Sequence, residues 1–177
     1  MATGCSKASR CFGKQRMAKA WEVAGLAPNA PLKLCARRII ETRFREMMSY
    51  HGGTAMGEDI EQLHAMRVSS RRLRSAMKNF RVCFNRKRFN VHDAKLREIA
   101  QGLGAVRDLD VRIAWFEGYL STAPEEESAD VLELIARARE EREAARGPML
   151  QMLDDLEREG YEERFLAFVW EGVEDRG

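Results

Sequence analysis

The sequence predicts an all-α protein, an antiparallel four-helix bundle behind a flexible basic N-terminal lead. Three observations carry this. Apolar residues recur at steps of three and four through four long segments. No stretch shows the apolar–polar alternation of a half-buried strand. Glycine and proline fall between the periodic segments, where short connections belong. At 177 residues the chain fits one domain, and a composition 45% hydrophobic and 33% charged is apolar enough for a core.

The lead, residues 1–30, is rich in Lys/Arg, Gly, Ser and Ala and closes on Pro28 and Pro31. We read it as disordered or partly helical, with a short helix within 14–26, and the bundle as 31–174. Pro31 suits a first helical turn. Helix one is expected over 31–50, with Leu32, Cys35, Ala36, Ile39, Ile40, Phe44 and Met47 on its apolar face. HGGTAMG (51–57) reads as a C-cap and turn. Helix two is expected over 58–84. Leu63, Ser70, Met77 and Phe84 fall at heptad position a, and Met66, Leu73 and Phe80 at d, which makes a bundle seam. NRKRFN (85–90) reads as a basic turn.

Helix three is expected over 91–120, with Leu96, Ile99, Leu103, Val106, Ile113 and Leu120 on its seam. Asp110 falls on that seam, and a carboxylate facing a core needs a cationic partner. STAPEEES (121–128) places acids in the first turn of helix four, where the macrodipole favours them. Gly147-Pro148 is expected to break or kink that helix after 145. A last helical segment is expected over 149–173, interrupted at Gly160.

The net charge of +2 conceals a dipole. Residues 1–115 hold 23 Lys/Arg against 10 Asp/Glu, and residues 116–177 hold 7 against 18. One half therefore faces polyanions and the other is acidic. Within the basic half, residues 62–92 carry nine Lys/Arg, two His and no acid. His64, Arg67, Arg71, Arg74, Lys78 and Arg81 step by 3, 4, 3, 4, 3, which keeps them on one helical face. Like charges four apart repel, so such a row without carboxylates calls for an outside anion. Arginine offers phosphate a planar fork of donors and lysine a point charge. Arg72 lies off the stripe, as a rim contact or as partner for an acid on another helix.

Two segments carry a family resemblance. LHAMRVSSRRLRSAMKNF (63–80) contains H-x-x-R-V-x-x-R-R-L-R as His64, Arg67, Val68, Arg71, Arg72, Leu73 and Arg74. LREIAQGLGAVRDLDV (96–111) contains L-G-x-x-R-D-x-D-V as Leu103, Gly104, Arg107, Asp108, Asp110 and Val111. Together they resemble the CHAD family, the conserved histidine α-helical domain, over roughly 31–172. The resemblance implies an all-helical fold of two similar four-helix bundles with a basic surface at the centre. It also implies non-catalytic binding of inorganic polyphosphate and association with polyphosphate granules. Only the first bundle is matched here, so a homodimer is expected to complete a two-bundle arrangement.

The expected polyphosphate contacts are His64, Arg67, Arg71, Arg72, Arg74, Lys78, Arg81, Lys95, Arg97 and Arg107. Asp108 and Asp110 are read as carboxylates that orient arginines of helix two. Arg107 has two readings, a phosphate contact or a salt bridge to Asp108 or Asp110. Gly104 leaves room either for a ligand or for a closely packed helix. His64 is read first as a hydrogen-bond donor to phosphate; a structural, metal-ligating or phosphorylated histidine are the alternatives. Lys33, Arg37, Arg86, Lys87 and Arg88 extend the basic surface.

Cys5, Cys11, Cys35 and Cys83 match no zinc spacing, and we expect no metal and no cofactor. No nucleophile–base pair or P-loop is present, so catalysis is not expected. A nucleic-acid or protein-interaction module using the same face is the rival reading. Nucleic acid is disfavoured because no aromatic interleaves the stripe. A metal-dependent polyphosphate hydrolase built on Asp108 and Asp110 is the weakest alternative. No apolar run is long enough to span a bilayer and no secretory leader is visible, so a cytoplasmic location away from membranes is expected.

Overall fold

The computed structural model describes residues 19–171, which hold six α-helices, one 3-10 turn and no strand. Helix α1 spans Leu32–Met48, α2 His51–Met56, α3 Ile60–Asn79, α4 Arg86–Leu120, α5 Glu125–Arg158 and α6 Tyr161–Trp170. The all-α bundle expected from the periodicity is therefore present.

Successive helices fold back on one another. Glu46 near the end of α1 bonds Arg72, while Lys33 and Arg37 near its start line a groove with Cys83 and Phe84 just past α3, so α1 and α3 are antiparallel. Arg67 reaches Asp108 and Arg81 covers the Phe89 ring, so α3 and α4 are antiparallel too. Arg142 to Asp110 and Tyr119 to Glu127 set the same sense for α4 and α5. The core lies where the seams meet. Ile40, Phe44 and Met47 face Met66, Leu73 and Met77, Leu96 and Leu103, Leu153 and Leu156, and Phe165 of α6. Phe44 and Phe165 stack with centroids 4.2 Å apart. At about 25 cal/mol per Å² of apolar area removed from water, these fully buried side chains supply the main drive to fold.

The 35-residue α4 and 34-residue α5 outreach the 20-residue α3. At 1.5 Å per residue that is about 50 Å against about 30 Å. Their far halves form a two-helix hairpin of their own, closed by Val131, Ile135 and Ala138.

Six expectations need correction. HGGTAM is not a turn but the short helix α2; the turn is Gly57, left-handed at φ 74°, followed by Asp59, which caps α3 at Glu61 N. Glycines weaken a helix by about 1 kcal/mol each; here α2 is held on α5, with His51 Nε2 3.1 Å from the Leu153 carbonyl. Helix two ends at Asn79, not 84, because Arg81–Cys83 tighten into a 3-10 turn. The basic turn 85–90 is instead the start of α4. Asn85 caps it by accepting from Lys87 N (3.0 Å) and Arg88 N (3.3 Å). Three cations on a first turn oppose the macrodipole, which hid this helix start in the sequence.

Gly147-Pro148 does not break α5. Both residues face solvent while Ala138, Met149, Met152 and Leu153 keep one continuous buried seam, so packing holds the helix through its missing hydrogen bond. Finally, residues 19–30 contain no helix. They lie along α1, where Arg43 donates to the Trp21 carbonyl (2.7 Å) and Arg38 to that of Gly25. The remainder of the 14–26 expectation, together with residues 1–18, lies outside the described residues. Leu32, expected on the apolar face of α1, is exposed.

His92 packs inside, stacked 4.5 Å from Phe168. Burial, then Arg88 and Arg164, push its pKa down to about 4. The unfolded chain, with a pKa near 6.5, binds this proton first. His92 therefore contributes stability above pH 6.5 that is lost as pH falls from 6.5 to 4, on the order of 3 kcal/mol. Denaturant titrations from pH 7 to 4 are expected to show this loss, and His92→Phe to flatten it. An equal loss in both proteins would contradict the assignment.

Candidate anion-binding face

The face is built on α3. His64, Arg67, Arg71, Arg74 and Lys78 all lie on this helix, as the spacing required. Arg81 lies just past its end, over Phe89 with its guanidinium 5.7 Å from the ring centroid. Antiparallel α4 lies alongside. Interpolating between the Arg67–Asp108 and Arg81–Phe89 contacts sets Arg74 level with residues 97–101 of α4, around Arg97 and Ala100.

The cations divide by whether a carboxylate already neutralises them. Among the described residues Arg71, Arg74 and Lys78 have no carboxylate within ion-pair distance. Arg74 is half-buried and its Nε has no acceptor. Arg67 pairs with Asp108 at 3.0 Å, but both side chains are largely exposed, so the pair is weak and exchangeable. Arg97 pairs with the buried Asp93. Arg72 does not join the stripe. It turns to α1 and bonds Glu46 at 2.8 Å, where Arg43 also binds. Glu46 is fully buried between these two arginines, a counterion the sequence reading missed. Lys95 also lies elsewhere: it pairs with Glu98 at 3.1 Å and lines a groove against Tyr161 and Arg164 of α6.

At the α3 N-terminal end His64, Arg67 and Arg107 converge. Burial lowers the His64 pKa below its ordinary value; Arg107 adds to that, Glu61 opposes it and Arg67 adds again. Burial first, and then the two arginines, thus disfavour the charged imidazole. Gly104 lies beneath Arg67: a Cβ there would stand 3.6 Å from Arg67 Nε, an ordinary contact. The Arg67 guanidinium, rather than an open cavity, lies over Gly104, and this contact alone would also admit an alanine.

Asp110 is 4% exposed and does have its cationic partners, but not from helix two. Arg142 of α5 donates Nε to it at 2.6 Å, and Arg107 stands 3.9 Å away. The Asp110 hydrogen bond raises the Arg142 pKa further above its usual value. Asp108 does hold an arginine of helix two, Arg67. Two residues apart on a helix, the two carboxylates diverge by about 200° and hold separate arginines. Among the described residues no group of three or more His, Cys, Asp or Glu side chains is placed to hold a metal ion. No helix among them is long and apolar enough to cross a membrane.

Sequence reasoning missed Glu46, Arg142 and the role of Arg86 and Lys87 as the first turn of α4. An acid at 46 gave no signal, because α1 is amphipathic with or without it. Asn85 before a long periodic segment was a signal for the helix start.

Fold and face together define a helical bundle whose third helix presents a row of unneutralised cations. The family model of the CHAD domain matches residues 38–175, and the chain belongs to that family. No curated protein and no solved structure matches it.

Proposed function

We propose that this protein binds linear inorganic polyphosphate, without catalysis, along α3. CHAD is a family associated with polyphosphate binding. The observation that carries the reading for this chain is the run Arg71, Arg74, Lys78, three cations on one helix face without a carboxylate among the described residues. A helical turn rises about 5.4 Å, so cations one turn apart meet phosphates spaced along a linear chain, about every second one. Arg67 joins them by exchanging the exposed Asp108 for phosphate oxygens. An anion beside His64 favours its protonated form, which burial, Arg107 and Arg67 disfavour in the free protein. Arg97 and Arg107 border the track from α4, and Arg81 extends it past the end of α3.

The test is a titration with long-chain polyphosphate at several salt concentrations and at pH 6 and 8, with single-stranded DNA as competitor. Affinity is expected to fall steeply with salt, because each neutralised phosphate releases counterions, and to be tighter at pH 6. Binding insensitive to salt would sink the proposal. Light scattering on the same samples reads whether two copies assemble.

One observation favours the rival nucleic-acid reading. Val111 and Trp115 share the α4 face of Arg97, Gly104 and Asp108 by the helical period, but lie past the end of α3. Trp115 and Tyr119 are exposed with rings parallel and 6.0 Å apart. Stacking platforms beside cations suit single strands. Displacement of polyphosphate by DNA at equal phosphate concentration would favour that reading.

A further inference from the structure

Arg37 of α1 is 5% exposed, yet among the described residues no carboxylate pairs with it. One terminal nitrogen donates to the backbone carbonyl of Glu171, a neutral acceptor, and its Nε has no acceptor at all. The other buried charges differ. Glu46 has two arginines, Asp93 has Arg97, and Asp110 has Arg142 and Arg107. A buried cation without a counter-anion is costly and does not persist unless something supplies the negative charge.

Arg37 lines a groove of about 260 Å³ together with Lys33 and Asn85, the cap of α4. That is several times the roughly 30 Å³ a water occupies, so a group of phosphate size enters. The groove reaches Asn85 at the positive end of a 35-residue helix, and Arg86 and Lys87, next in sequence to Asn85, are unpaired among the described residues. Among the described residues Glu171 is the one carboxylate that lines the groove, and it is paired with Arg88.

We propose that Arg37, Lys33 and the first turn of α4 form an oxyanion site for a phosphate group, separate from the α3 track. A tetrahedral oxyanion suits it, because several oxygens can accept at once from the Arg37 guanidinium and the lysine ammonium. The site takes a free phosphate ion or the end of a polyphosphate chain; the chemistry is shared.

The test is thermal unfolding of the full chain in chloride, in inorganic phosphate and in tripolyphosphate at matched ionic strength. Wild-type protein is expected to gain roughly 5 °C or more at saturating ligand. A gain with phosphate assigns the single ion; a gain with tripolyphosphate alone assigns the chain end. Arg37→Met is expected to abolish the gain. If that variant fails to fold, the exposed pair Lys33→Ala/Lys87→Ala decides and should reduce it. Arg71→Ala/Arg74→Ala should keep it, so loss of the α3 track and loss of this site are read separately. A gain that survives both Arg37→Met and Lys33→Ala/Lys87→Ala overturns the site. So does absence of any gain in wild type.

Discussion

Replacing Arg71 and Arg74 together by alanine is expected to lower polyphosphate affinity at least about 100-fold. Both lie on the exposed side of α3 and neither pairs with a carboxylate among the described residues. A charge-assisted hydrogen bond to phosphate contributes on the order of 1.5–3 kcal/mol, and two arginines offer several. The slope of log affinity against log salt should shrink by about 1.4, the share of two phosphate contacts on a single strand. Fold stability should hardly move, because no buried partner loses its charge. Arg72→Ala is the counter-case. Its guanidinium belongs to Glu46, so it should cost stability with little effect on the salt slope. If Arg72→Ala weakened binding more than the Arg71/Arg74 pair, the track would lie on the wrong side of α3.

The second large effect is on stability. Asp110→Ala is expected to destabilise the bundle by about 3–5 kcal/mol, because it strands the buried Arg107 without its anion and leaves the half-buried Arg142 only the exposed Glu143. For a domain of this size that lowers the melting temperature by roughly 6–20 °C. Asp108→Ala, two residues away, removes only an exposed pair and should cost less than about 1 kcal/mol. It should also tighten polyphosphate binding, since it frees Arg67 and removes a repelling charge. Melting curves of the two variants side by side check both statements. Equal losses would mean that burial of Asp110 does not set its worth.

These contrasts show where the sequence was readable. Asp110 on an otherwise apolar seam announced a buried charge, because helical periodicity alone fixes which side faces the core. Its partner was not readable. Arg142 lies 32 residues away, and only the pairing of α4 with α5 brings them to 2.6 Å. The stripe on α3 was readable for the same reason as the seam, since 3, 4, 3, 4 spacing is local. Which member is already paired was not, because Asp108, the partner of Arg67, comes from another helix.

The boundaries failed where local and tertiary terms oppose each other. Two glycines argued against α2, a proline against the continuity of α5, and three cations against the start of α4. In each case contacts from distant elements, or a single cap such as Asn85, outweighed the local preference. The sequence by itself determined the fold class, the seams, the basic face and the family motifs, all of which are periodicities within one helix. Only the tertiary structure decided which cations are neutralised, which acids are buried, and that Arg37 is enclosed without an acid partner among the described residues. Those facts depend on distances between helices, which no spacing along the chain encodes.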